Sequence, residues 1–151
     1  RIPLSSLADV ATKQRLTNWV EAQCERMSVP REPSGIVFEV RQGYKSKDSK
    51  RQNADLLSAS RAYQSGYLPC MLVLSQQIDM DIKTRYQNAG WIVLTGDLVQ
   101  DENHSTYAFM KRVVGYDLAA FLERNHQSLR EQVYQLVRLL LRVEESEEDA
   151  S

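Results

Sequence analysis

Gly35-Ile36-Val37-Phe38-Glu39-Val40-Arg41 is the stretch on which the fold turns. Its β-branched and aromatic residues, opened by Gly35 and followed by Gly43, predict a strand. Side chains alternate along a strand, so Val37, Glu39 and Arg41 share one face, while Ile36, Phe38 and Val40 take the other. A carboxylate therefore sits two residues from a cation at the end of an otherwise apolar strand. Acidic side chains are rarely buried without partners, and burying one alone is costly. Two readings stand side by side. In one, Arg41 neutralises Glu39 as a plain pair on a partly exposed strand. In the other, Glu39 serves a site at the strand end.

The flanking pattern extends the strand into an α/β layout. Upstream, Leu7, Val10, Ala11, Leu16, Trp19, Val20 and Cys24 recur at three- and four-residue steps. They predict a helix over 5–27, capped by Ser5 or Ser6 and closed by Pro30 and Pro33. Downstream, Ala54, Leu57 and Ala62 predict a helix over 53–64 with Gly66 as its stop. Residues 67–74 are apolar throughout, as for a strand covered on both faces. A helix over 76–88 ends at Ala89-Gly90, and 91–94 is a third buried strand. Segment 96–106 is polar and turn-like, and 106–113 reads as an edge strand. Two further helices are expected over 116–124 and 128–143. Strands alternating with crossover helices argue for a layered α/β domain with a largely parallel sheet.

The 151 residues carry 19 Lys and Arg against 20 Asp and Glu, a net charge of -1. That near-neutrality is a cancellation of two blocks. Residues 41–51 hold Arg41, Lys45, Lys47, Lys50 and Arg51 against Asp48, a local +4. Residues 144–149 hold Glu144, Glu145, Glu147, Glu148 and Asp149, a local -5. The expected division is one domain over 1–143 and a frayed acidic tail over 144–151. No apolar run approaches the roughly 20 residues that span a bilayer. Cys24 and Cys70 are far apart and form no CxxC pair, which fits free thiols in a reducing cytoplasm. A four-ligand zinc site would consume both Cys and both His of the chain. No GxGxxG, GxxxxGK[ST], GxSxG or HExxH motif occurs. The chain opens on Arg1 rather than Met, which leaves room for residues ahead of it.

The neighbourhood of Glu39 favours the site reading. Gln42, Tyr44, Lys45, Lys47, Lys50, Arg51, Gln52 and Asn53 follow it closely. Cations neutralise phosphates, while aromatic and amide groups add stacking and base-edge contacts. The plainer fate of a Lys-rich segment is a solvated loop.

Residues 35–55 (GIVFEVRQGYKSKDSKRQNAD), followed by helix, strand, helix and strand, resemble the core of the PD-(D/E)xK nuclease superfamily. With Tyr63, Gly90-Trp91 and Gly115-Tyr116-Asp117, the run is similar to type II restriction endonucleases of the ApaLI type. The resemblance covers 35–142. It implies a restriction-endonuclease-like core, with a central mixed sheet flanked by helices and a helical C-terminus. It also implies Mg²⁺-dependent cleavage of double-stranded DNA by a homodimer. It assigns Glu39 to the metal and Arg41 to the position of the motif's lysine, with Gln42 after it. The nucleic-acid surface would be Gln42, Tyr44, Lys45, Lys47, Lys50, Arg51, Gln52 and Asn53.

Two departures qualify that assignment. Arg41 keeps the lysine's charge but is a poor proton acceptor. The family's metal-binding Asp normally precedes this strand on a hairpin, for which 28–34 is too short; Glu21 and Glu25 are acids on the preceding helix. Two other classes therefore stand beside an active endonuclease: a nuclease-like domain that binds DNA without cutting, and an α/β protein-interaction domain.

Other candidates have plain explanations. Asp79 and Asp81 suit the start of a helix. Trp91 suits core packing. His104, beside Asp101, Glu102 and Asn103, sits in a polar loop where a weak metal site competes with a flexible turn. Lys111 and Arg112 are surface cations. Leu129, Val133, Leu136, Val137, Leu140 and Leu141 form one stripe on the last helix, either core or a dimer face.

Overall fold

The computed structural model describes residues 1–29, 31–43 and 49–148, with backbone alone for 49–55 and 141–148. Tyr44, Lys45 and Lys47 lie outside the described residues. Two compact units emerge, Arg1–Tyr116 and Asp117–Ser151.

The first unit is an α/β layer structure built on a four-stranded mixed sheet in the order β1-β2-β3-β4. These are β1 (Ile2–Pro3), β2 (Gly35–Arg41), β3 (Tyr67–Val73) and β4 (Ile92–Leu94). The last three run parallel, while β1 pairs antiparallel with the start of β2 through Ile2↔Ile36 and Pro3↔Gly35. The crossovers are α2 (Ser49–Gln64) and α3 (Met80–Asn88).

Alternation along β3 divides the core into two layers. Leu68, Cys70 and Leu72 pack with Ile36, Ile92 and Leu94 against Leu16, Trp19 and Val20 of α1 (Val10–Met27). Met71 and Val73 pack on the other face with Ala59 of α2 and Ile82 and Tyr86 of α3. Ile36 and Phe38 belong to the α1 face, so Glu39 and Arg41 point to the α2 side. Trp91 is buried in that second layer, a packing residue.

Helix α1 begins later than its periodicity suggests. Ser6 is spent in a 3₁₀ turn over Leu4–Ser6, where its hydroxyl donates to Pro3 O. Asp9 caps the helix instead, accepting from Thr12 N at 2.7 Å. Helix α2 begins earlier, at Ser49, because Lys50, Arg51 and Gln52 are good helix formers. Lys50, Arg51, Gln52 and Asn53 therefore occupy its first turns rather than a loop. Helix α3 starts at Met80, with Asp79 as its cap accepting from Asp81 N, as the capping reading of those acids holds.

The edge strand expected over 106–113 is helical. Ser105 caps α4 (Thr106–Phe109), accepting from Ala108 N, and a π-turn over Met110–Val114 follows. Phe109 and Val113 face the core together, a four-residue spacing that outweighs the β-branched character of the segment. Gly115, at φ 85°, ends the turn.

In the second unit, the two expected helices are one: α5 runs over Leu118–Glu148. Asp117 opens it by accepting from Ala120 N, and no Gly or Pro interrupts it. The polar 125–128 junction stays helical, with Asn125 donating to Phe121 O four residues back. Among the described residues, no helix is long and apolar enough to cross a membrane.

Candidate functional site

Parallel α/β sheets gather ligand-binding groups beyond the carboxyl ends of their strands. Here that edge is made by Arg41, Val73 and Leu94. Glu39 and Arg41 occupy the last turn of the pleat on β2, level with Met71 and Val73 of β3. Arg41 Nη2 lies 2.8 Å from Glu39 Oε1, with the side chains 18% and 38% exposed. The pairing reading of these two residues is thus realised in the resting chain. Arg41 is mostly covered and Glu39 more open, and a pair of this kind is worth on the order of 1 kcal/mol.

The edge is braced by a set of hydrogen bonds. Leu74 N donates to Arg41 O at 2.8 Å, extending the β2–β3 ladder by one rung. Thr106 Oγ1, fully buried, lies 2.8 Å from Val73 O and 3.1 Å from Leu94 O. Tyr107 donates its hydroxyl to Leu74 O at 2.8 Å. Gly96 N reaches Ser75 O, and a Cβ on Gly96 would stand 2.5 Å from Leu74 O. Only glycine lets these two strand exits cross so closely. Helix α4 therefore acts as a buttress under the same edge that carries Glu39.

Topology brings the start of α2 to this edge as well. Strand β2 leaves at Arg41 and α2 begins at Ser49, so Lys50, Arg51, Gln52 and Asn53 sit on turns adjoining the β2 exit. Gln42 is exposed just past Arg41.

Among the described residues, Glu21 and Glu25 do not join Glu39. Glu21 and Glu25 stand on α1, on the opposite side of the sheet, where they line a 310 Å³ cavity with Cys24 and Glu32. Burial and the neighbouring Glu32 and Glu21 carboxylates push the Cys24 thiol up. The antiparallel neighbour of β2 is Ile2–Pro3, which carries no acid. Its pairing begins at Gly35, about 13 Å from Glu39 at roughly 3.3 Å per residue. Asp97, just beyond β4, accepts from Thr95 Oγ1 at 2.6 Å. With β3 between them, the β2 and β4 backbones are about 10 Å apart. Among the described residues, no three His, Cys, Asp or Glu side chains are grouped to hold a metal.

His104 is held by Asp101, Nδ1 to Oδ2 at 2.7 Å, in a turn that Asp101 also braces from Asn103 N. Arg112 pairs with Glu102 at 3.0 Å. These groups serve the loop. Sequence reasoning missed Ser75, Asp97, Thr106 and Tyr107 as parts of the edge. Ser75 and Asp97 had a positional signal, following an apolar strand and a glycine at a strand exit; Thr106 and Tyr107 had none.

Neither a protein-family model, nor a curated protein, nor a solved structure matches the chain.

Proposed function

We propose that the chain is a Mg²⁺-dependent endonuclease domain acting on duplex DNA, of the restriction-enzyme type. One observation carries the reading: Glu39 and Arg41 lie side by side at the carboxyl end of a parallel strand, beside the cationic segment 41–51. Magnesium is commonly held by one or two carboxylates plus substrate phosphate and water, without an all-protein cage. Glu39 would hold such an ion together with substrate phosphate. The ion would polarise the phosphate and supply an activated water. Arg41 would release Glu39 and turn its guanidinium to the phosphate, where it balances developing charge. The basic segment and the first turns of α2 would hold the backbone through Lys and Arg, with Gln and Asn toward the bases.

The second reading, DNA binding without cleavage, draws support from the Glu39–Arg41 pair itself. A guanidinium on the carboxylate competes with a cation, and Arg41 is a poor proton acceptor. A plasmid-nicking assay with Mg²⁺, Mn²⁺ and chelator separates the two. Metal-dependent scission supports the enzyme. Retention of DNA at low salt with no scission supports the binding domain, and no retention at all removes both.

A further inference from the structure

Helix α5 carries apolar residues at a fixed spacing. Leu122, Leu129, Val133, Leu136, Leu140 and Val143 fall at alternating three- and four-residue steps, with His126 filling the remaining place. A 3.5-residue repeat is the mark of a helix packed lengthwise on another helix, whereas a helix lying on a globular core follows a 3.6-residue stripe. The middle of the row is also open to solvent. Val133, Leu136 and Leu140 are 60%, 57% and 60% exposed, and Val137 and Leu139 flank them at 45% and 61%. A contiguous apolar row of this kind marks an interaction surface.

We infer that α5 pairs with α5 of a second copy of this chain, antiparallel and centred near Leu136. Charge selects both the occupant and the direction. Side by side in parallel, the two copies would bring together two acidic ends, each net -5 over 144–149, and two aligned helix dipoles. The antiparallel arrangement separates those ends. It sets residues 124–130 of one copy beside 142–148 of the other. The first segment holds Arg124 and Arg130 and no acid; the second holds four glutamates and one arginine. The same helix thus supplies both halves of a complementary surface, as an isologous two-fold contact requires. The pairing is independent of the nuclease reading and stands whether or not the chain cuts DNA.

Light scattering on the full chain tests the pairing. The expected mass is twice 17.4 kDa, reverting to 17.4 kDa in Leu136→Glu with an unchanged helical signal by circular dichroism. Direction is read by oxidative cross-linking in a Cys24→Ser background. Leu136→Cys should join to its twin near the two-fold axis. Leu129→Cys should not, because residue 129 would face 143 of the other copy, about 21 Å along the axis from its twin at 1.5 Å per residue. A monomeric parent chain, or a dimer that survives Leu136→Glu, would overturn the pairing. Cross-linking of Leu129→Cys as complete as that of Leu136→Cys, or none through Leu136→Cys, would overturn the antiparallel register.

Discussion

Arg41 Nη2 reaches Glu39 Oε1 at 2.8 Å along one face of β2, so the only cation on that strand rests on its only carboxylate. The contact is half-buried and contributes on the order of 1 kcal/mol. Stability and function at this position are therefore separable. Glu39→Ala should change the unfolding free energy by no more than that small amount, measured by urea titration with circular dichroism, while it removes the carboxylate that the proposed site offers to a metal.

Arg41 distinguishes charge from proton transfer. Lysine at this position keeps the cation and adds a group that can lose a proton. Arg41→Lys should raise the cleavage rate by up to about 10²-fold, the lower end of what a positioned acid–base group supplies. Arg41→Ala should lower it. An Arg41→Lys rate equal to or below that of the parent would mean that Arg41 acts through charge and geometry alone.

Salt dependence measures the basic segment. If Arg41, Lys45, Lys47, Lys50 and Arg51 all meet phosphates, the logarithm of the binding constant should fall against the logarithm of salt with a slope of about -4.5. The double variant Lys50→Ala, Arg51→Ala should reduce that slope by about two. Fluorescence anisotropy across a salt series reads it, and a flat series in the parent would exclude this surface.

Thr106 braces the sheet edge from within. Its buried hydroxyl lies within hydrogen-bond distance of both Val73 O and Leu94 O. Thr106→Val keeps the shape and strands those carbonyls. A loss of about 1–3 kcal/mol is expected in urea unfolding. A neutral result would mean the two strand exits need no such tie.

The thiols differ in environment. Burial, then the Glu32 and Glu21 carboxylates, push Cys24 up, and burial pushes the enclosed Cys70 up further. Less thiolate is present at neutral pH, so iodoacetamide should label Cys24 more slowly than free cysteine and speed up as pH rises. Cys70 should label only after unfolding. Mass spectrometry of a timed reaction reads both.

Sequence patterning carried the sheet because strands β2 and β3 are bounded by glycines and filled by apolar residues on the faces that are buried. It failed where one residue type has two uses. Thr106, Val113 and Val114 are β-branched, yet the Ser105 cap and the Phe109–Val113 spacing make the segment helical. Asn125 to Ser128 looked like a break, but a polar stretch with no Gly or Pro continues a helix. Local patterning cannot foresee β1, since Ile2 finds Ile36 across 34 residues. The Glu39–Arg41 pair was legible from strand parity alone. The brace from Thr106 and Tyr107 was not, because it joins positions about 33 residues apart in sequence.

The most direct test of the central claim compares the parent chain and Glu39→Ala on duplex DNA of varied sequence with Mg²⁺. Scission by the parent, lost in Glu39→Ala while both remain folded, is the predicted result. Intact DNA with the parent chain, or equal scission by the two, would contradict it.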